Sequence, residues 1–156
     1  MRDEGNKRWA AAVHEAGHVV VAWALGLQVQ AMSVTDSGDC HSEIECTAHR
    51  PLFEQIAVAE AGMMAAELLA VPTWPQAGMT DAVKVMELLE QHSAPSCKGA
   101  EGHTYARKIL NSRKALVRAL AIALDCTGTL SGTDLERFAG RCPREKSDLA
   151  AIRCAR

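Results

Sequence analysis

Apolar positions recur at helical spacing from Lys7 to Leu27. Trp9, Val13, Ala16, Val20 and Trp23 form one stripe, and His14, His18, Val21 and Leu25 form a second. A helix apolar on two stripes is expected to be buried, and Gly26 is placed to end it. From Val29 the pattern changes to alternation, with Val29, Ala31, Ser33 and Thr35 set against Gln30, Met32 and Val34. Ile44 to Ala48 is a second short extended stretch, and Asp36-Ser37-Gly38-Asp39 between them has turn chemistry. The pattern predicts a small hairpin.

Pro51 suits the first turn of a second helix, running to about Ala70 through Phe53, Ile56, Ala57, Met63, Met64 and Leu68. Val71 to Gly78 holds two prolines and a Trp and reads as a loop. Thr80 is the expected N-cap of a helix from Asp81 to His92. Ser93 to Gly102, rich in Ser, Pro and Gly, is a candidate hinge. A long helix is predicted from Thr104 to Leu124. Its Arg107, Lys108, Arg113, Lys114 and Arg118 read as a solvated basic face. Ser131 and Thr133 precede a short helix through Leu135 and Phe138, and Pro143 precedes a last one. The expected fold is mainly α with a small β-hairpin or sheet, a single domain over 1–156. The helices near 7–26 and 51–70 should form its core.

Composition narrows the function classes. The chain has 156 residues, 48% hydrophobic and 23% charged, which is enough for one ordinary buried core. Aromatics are only 4% and the net charge is −2, which argues against base stacking and against a basic nucleic-acid or anionic-membrane surface. The apolar stretch from Val19 to Leu27 falls short of the roughly 20 residues that span a bilayer. That also disfavours an intramembrane protease, which needs several spans. MRDEGNKRW lacks an apolar signal core, so a cytoplasmic setting is expected. The six cysteines include no CxxC pair and are expected to be free and mostly structural.

The strongest chemical signal is His14-Glu15-Ala16-Gly17-His18, an HExxH on a predicted helix. A separation of four positions nearly completes one helical turn, so both imidazoles face the same way and can grip one zinc. Glu15, offset by one position, stays out of the ligand set, beside the open position. There it can take a proton from zinc-activated water and pass it to the leaving amine. Two core histidines that merely happen to be four apart would leave three ionisable groups buried on one turn, which is costly without compensation. A catalytic zinc needs a third protein ligand. Glu60, Glu67, Asp81, His92 and His103 are the candidates. Asp81 could equally be a helix-dipole partner beside Thr80. Glu60 and Glu67 could each be a ligand or could orient a ligating His. Cys40, His41, Cys46 and His49 lie within ten positions of one another, but their spacing matches no zinc finger, and they read as incidental groups on a polar hairpin. His41 or His49 stays open as a transition-state donor.

The segment HEAGHVVVAWAL resembles the zinc-site helix of the FtsH-type peptidase domain, the proteolytic half of the membrane-anchored AAA proteases. Val29 to Asp36 is similar to that family's strand after the helix, and Ala61-Gly62-Met63-Met64-Ala65-Ala66-Glu67-Leu68 to its Gly-containing Ala-Glu helix. Gly78-Met79-Thr80-Asp81 resembles the segment delivering its third ligand. Leu130-Ser131-Gly132-Thr133-Asp134-Leu135 resembles its C-terminal Leu-Ser-Gly element. The resemblance implies His14, His18 and Asp81 as zinc ligands and Glu15 as general base. It also implies a short strand within Val29 to Ala48 that pairs with substrate backbone. Implied substrates are unfolded or extended polypeptides. The 156 residues contain no GxxxxGK[ST] phosphate loop. The expected function is therefore ATP-independent zinc endopeptidase activity, with a homo-oligomer or a separate unfoldase as possible partner. The alternative is an inactive pseudo-peptidase that binds or regulates.

Overall fold

A computed structural model describes residues 4–72 and 75–145. Among them, α1 (Glu4–Ala24) is the central element. Both expected stripes are buried: Val13, Val20, Ala16 and Val21 are fully covered, and Trp23 nearly so. α2 (Leu52–Leu68), α5 (Lys114–Thr127) and the sheet enclose α1 from different sides. The crossing of α1 over α2 is very close. A Cβ on Gly17 would stand 2.4 Å from the Ala61 carbonyl oxygen and 2.5 Å from Ala65 Cβ. Glycine inside a helix costs about 1 kcal/mol relative to Ala; here it lets two backbones touch.

The sheet has three antiparallel strands in the order β2-β1-β3: β1 is Val29–Val34, β2 Cys40–Ile44 and β3 Thr129–Ser131. Met32 pairs with Ser42 on one side and Leu130 on the other, and Val34 pairs with Cys40. Directly paired residues share a face, so Val34, Cys40, Met32, Ser42 and Leu130 all point at the helices. The expected second strand, Ile44 to Ala48, is displaced. The turn closes with Gly38 N–H on Thr35 O and Thr35 N–H on Asp39 O, so pairing begins at Cys40. β3 was not predicted, because a three-residue strand takes its stability from pairing with β1 rather than from local pattern.

Three helix boundaries also differ from expectation. α3 is Pro75–Gln91, beginning before Thr80. Thr80 is therefore not its N-cap, and Asp81 lies in its second turn rather than at its end. Proline is well tolerated at the first helical position, so Pro75 opens α3 instead of prolonging the loop. α4 is Cys97–Ser112 and includes Gly99 and Gly102, which cuts the hinge candidate to the turn before Cys97. Gly102 is buried against Ile56 of α2. The long helix expected from Thr104 to Leu124 is two helices, α4 and α5, separated at Arg113 (φ −124°).

Arg113 is also not on the solvated basic face. It is buried, with Nη1 2.9 Å from Glu145 Oε1 and further bonds to Ile109 O and Pro143 O. α6 (Thr133–Ala139) matches the expected short helix. The helix expected after Pro143 falls on 146–156, outside the described residues. No helix among those described is long and apolar enough to cross a membrane. Cys40, Cys46, Cys97, Cys126 and Cys142 are all free.

Candidate metal centre

Two helices deliver three ligand atoms to one point. His14 and His18 come from successive turns of α1, with rings edge to face at 4.7 Å between centroids. Their Nε2 atoms lie 3.0 Å apart. Asp81 comes from α3, its Oδ2 3.2 Å from His14 Nε2 and 3.3 Å from His18 Nε2. α2 supplies the floor. A Cβ on Gly62 would lie 2.5 Å from His14 Cε1 and 2.6 Å from both ring nitrogens, so the imidazole rests directly on the glycine backbone. One turn earlier, Val58 O accepts a 2.7 Å hydrogen bond from His18 Nδ1–H. That bond puts the His18 proton on Nδ1 and leaves the Nε2 lone pair turned toward Asp81.

Asp81 Oδ2 is buried and close to both imidazoles, yet no directed hydrogen bond satisfies it. Three electron-rich atoms around one point are unfavourable unless a cation sits among them. Ligand atoms on a tetrahedral ion at about 2.0–2.1 Å stand about 3.3–3.4 Å apart, close to the 3.0–3.3 Å triangle found here. Two imidazoles and a carboxylate are a fitting donor set, and the group His14, His18 and Asp81 can hold a metal ion.

The electrostatics agree. Burial pulls the His18 imidazole toward the neutral form, but the adjoining Asp81 carboxylate, the Glu15 charge and the Val58 carbonyl outweigh it and leave its pKa above the ordinary 6.5. Burial raises Asp81, yet the two histidines outweigh it and hold the carboxyl down at about 2. The site attracts positive charge, whether a proton or a metal.

Glu15 lies on the same turn of α1, about 100° around the axis from His14. It is 6% exposed, and Ser42 Oγ–H donates to its Oε2. Cys40, also on β2, is held in the thiol form first by burial and then by the nearby Glu15 charge.

The other candidate ligands lie elsewhere. Glu60 accepts from His103 Nδ1 at 2.9 Å and Glu67 pairs with Arg107 at 3.2 Å, both pairs bridging α2 and α4. His92 is exposed just past the end of α3. Strand alternation separates Cys40 from His41, which points outward, and Cys46 and His49 are exposed beyond β2. Among the described residues only His14, His18 and Asp81 form a metal-ligating group. Sequence reasoning did not single out Ser42 or the Val58 carbonyl. A backbone acceptor leaves no mark in a sequence, and Ser42 becomes legible only once β2 is placed at Cys40–Ile44. No protein-family model and no curated protein matches the chain.

Proposed function

We propose that the chain is a zinc-dependent endopeptidase of FtsH-like fold that hydrolyses peptide bonds in unfolded or extended polypeptides. The observation that carries this reading is the meeting of His14 Nε2, His18 Nε2 and Asp81 Oδ2 within 3.0–3.3 Å, beside a buried glutamate on the same helical turn. When bound, the zinc supplies Lewis acidity, lowering the pKa of water and polarising a carbonyl.

The remaining roles belong to the chain. His14 and His18 offer neutral Nε2 lone pairs, with the His18 tautomer fixed by Val58 O. Asp81 contributes the third ligand oxygen and a balancing negative charge. Glu15 takes one proton from the attacking water as oxygen bonds to the peptide carbon. It returns that proton to the amine nitrogen as the C–N bond breaks. β2 is an edge strand of the sheet, and its unpaired backbone edge offers hydrogen bonds to an extended substrate. Substrate arrives as loose peptide or from a separate unfoldase. Free cysteines suit a reducing, cytoplasmic setting.

The test is elemental analysis together with casein digestion, wild type against Glu15→Gln. About one zinc per chain is expected in both, with cleavage lost about 10²- to 10⁴-fold in the variant. Zinc-loaded wild type that binds casein tightly without cutting it would replace the enzyme with a peptide-binding module. Loss of zinc along with activity in Glu15→Gln would remove the general-base role.

A further inference from the structure

The inward face of β2 is unusual for a strand covering a core helix. Its inward positions are Cys40, Ser42 and Ile44, so two of three are small hydrogen-bond donors where apolar side chains would ordinarily sit. The neighbouring strands present Met32, Val34 and Leu130 on that face, all buried. The departure from apolar character coincides with Glu15. Its carboxylate is almost wholly buried, and among the described residues no Lys or Arg pairs with it. A buried carboxylate needs donors, and Ser42 supplies one to Oε2. Cys40, two residues back on the same face, is close enough to feel the Glu15 charge.

We infer that Ser42 is the positioning residue for Glu15: its hydroxyl, fixed on β2 opposite the HExxH turn, sets the orientation of the carboxylate that exchanges the proton. This inference rests on the peptidase reading and adds a residue to it. Hydroxyl-to-carboxylate bonds are short and charge-assisted, so Ser42 restricts rotation of a side chain that otherwise has three rotatable bonds. The serine hydroxyl both donates and accepts. It donates to Oε2 while Glu15 is ionised and can turn to accept once Glu15 carries the proton. The bond therefore survives both halves of the proton shuttle. Cys40 cannot substitute, because sulfur is a poor acceptor and a weak donor.

The strand that carries Ser42 also presents the free sheet edge. Met32 pairs directly with Ser42 on one side, while the opposite edge of β2 faces outward. A substrate strand added there would lie one strand spacing, about 4.8 Å, from β2. The base would then be registered to the same backbone that registers the substrate. Glu15, the ligands on α1 and the docked peptide would share one rigid frame.

The experiment compares wild type, Ser42→Ala and Ser42→Thr, each zinc-loaded. The Glu15 side-chain carbonyl is observed by ¹³C NMR with labelled glutamate, its signal identified by its disappearance in Glu15→Gln. Expected are a displaced Glu15 signal in Ser42→Ala, retention of the wild-type position in Ser42→Thr, and unchanged zinc content throughout. On casein-derived peptides kcat should fall about 10- to 100-fold in Ser42→Ala with KM within about twofold, and Ser42→Thr should recover most of it. An unmoved carbonyl signal in Ser42→Ala overturns the inference whether or not any variant cleaves peptide. A displaced signal with unchanged kcat also overturns it. A displaced signal with an inert wild type upholds the contact and refutes the peptidase reading instead. If Ser42→Ala alone fails to fold, the comparison moves to Ser42→Cys, which keeps the volume and weakens the donor, and the same signal decides.

Discussion

The imidazole of His14 lies against the Cα of Gly62, close enough that a methyl group on that carbon would overlap Cε1, Nδ1 and Nε2 of the ring at 2.5–2.6 Å. A helix that contributes no ligand thus fixes the plane of one that does. Gly62→Ala should improve the intrinsic helix propensity of α2 while expelling the ring. The expected result is a melting temperature near wild type for the metal-free protein and metal affinity weakened about 10- to 100-fold, the range seen when a ligand's support is lost. Competition titration against a chromophoric chelator measures it; unchanged affinity would show that the ring has another resting place.

The pH dependence should reverse with metal. In the metal-free protein His18 has a folded-state pKa above 6.5. Its contribution to stability is therefore fully present below pH 6.5 and lost as the pH rises through the folded value. Asp81, held at about 2, contributes above the ordinary carboxylate range and loses that contribution only as the pH falls toward 2. A metal competes with the proton for His18 Nε2, so metal-dependent stabilisation should grow as the pH rises through the same interval. Melting curves from pH 5 to 9, with and without zinc, should diverge toward high pH. In Asp81→Asn the largest raising influence is lost and the His18 titration should move downward in NMR spectra of the metal-free protein; a stationary titration would mean that Asp81 is not what raises it.

Gly17→Ala should destabilise, although alanine is the better helix former. The added methyl meets the Ala61 carbonyl oxygen at 2.4 Å, and a backbone oxygen cannot swing aside as a side chain can. Overpacking of this kind costs about 1–3 kcal/mol, against a propensity gain of about 1 kcal/mol. Thermal unfolding should show a net drop of a few degrees, and a larger residue such as leucine a severe one. A stabilised Gly17→Ala would mean that α1 and α2 do not cross as closely as described.

The parts of the molecule legible in the sequence are those whose information is local. α1 and its paired histidines follow from helical spacing, and α2 from Pro51 and the apolar positions after it. The family resemblance singled out Asp81, and the structure brings its carboxylate to the histidines. The parts that were not legible depend on distant partners. β3 exists through β1. The separation of α4 from α5 accompanies a buried Arg113 whose partners include Glu145 and Pro143. β2 was displaced because Cys40 and Ser42, polar yet inward, do not look like a buried strand face. The same polarity that hid the strand is what Glu15 requires.

α3 meets α2 through a small apolar cluster separate from the main core. Among its described side chains the buried hydrophobic residue is Val85, which joins Ile56 and Ala59 of α2, with half-buried Leu88 and Leu89 packed against them, while Met79, Val83 and Met86 are exposed. Its other buried anchor is Asp81. An ion shared by Asp81 with two residues of α1 would act as a clasp between segments that lie far apart along the chain. Stripping it should let α3 fray well before the whole molecule unfolds, visible as hydrogen exchange that quickens across 78–91 while the amides of α1 stay protected. Metal supply would then govern whether α3 stays seated against α1 and α2.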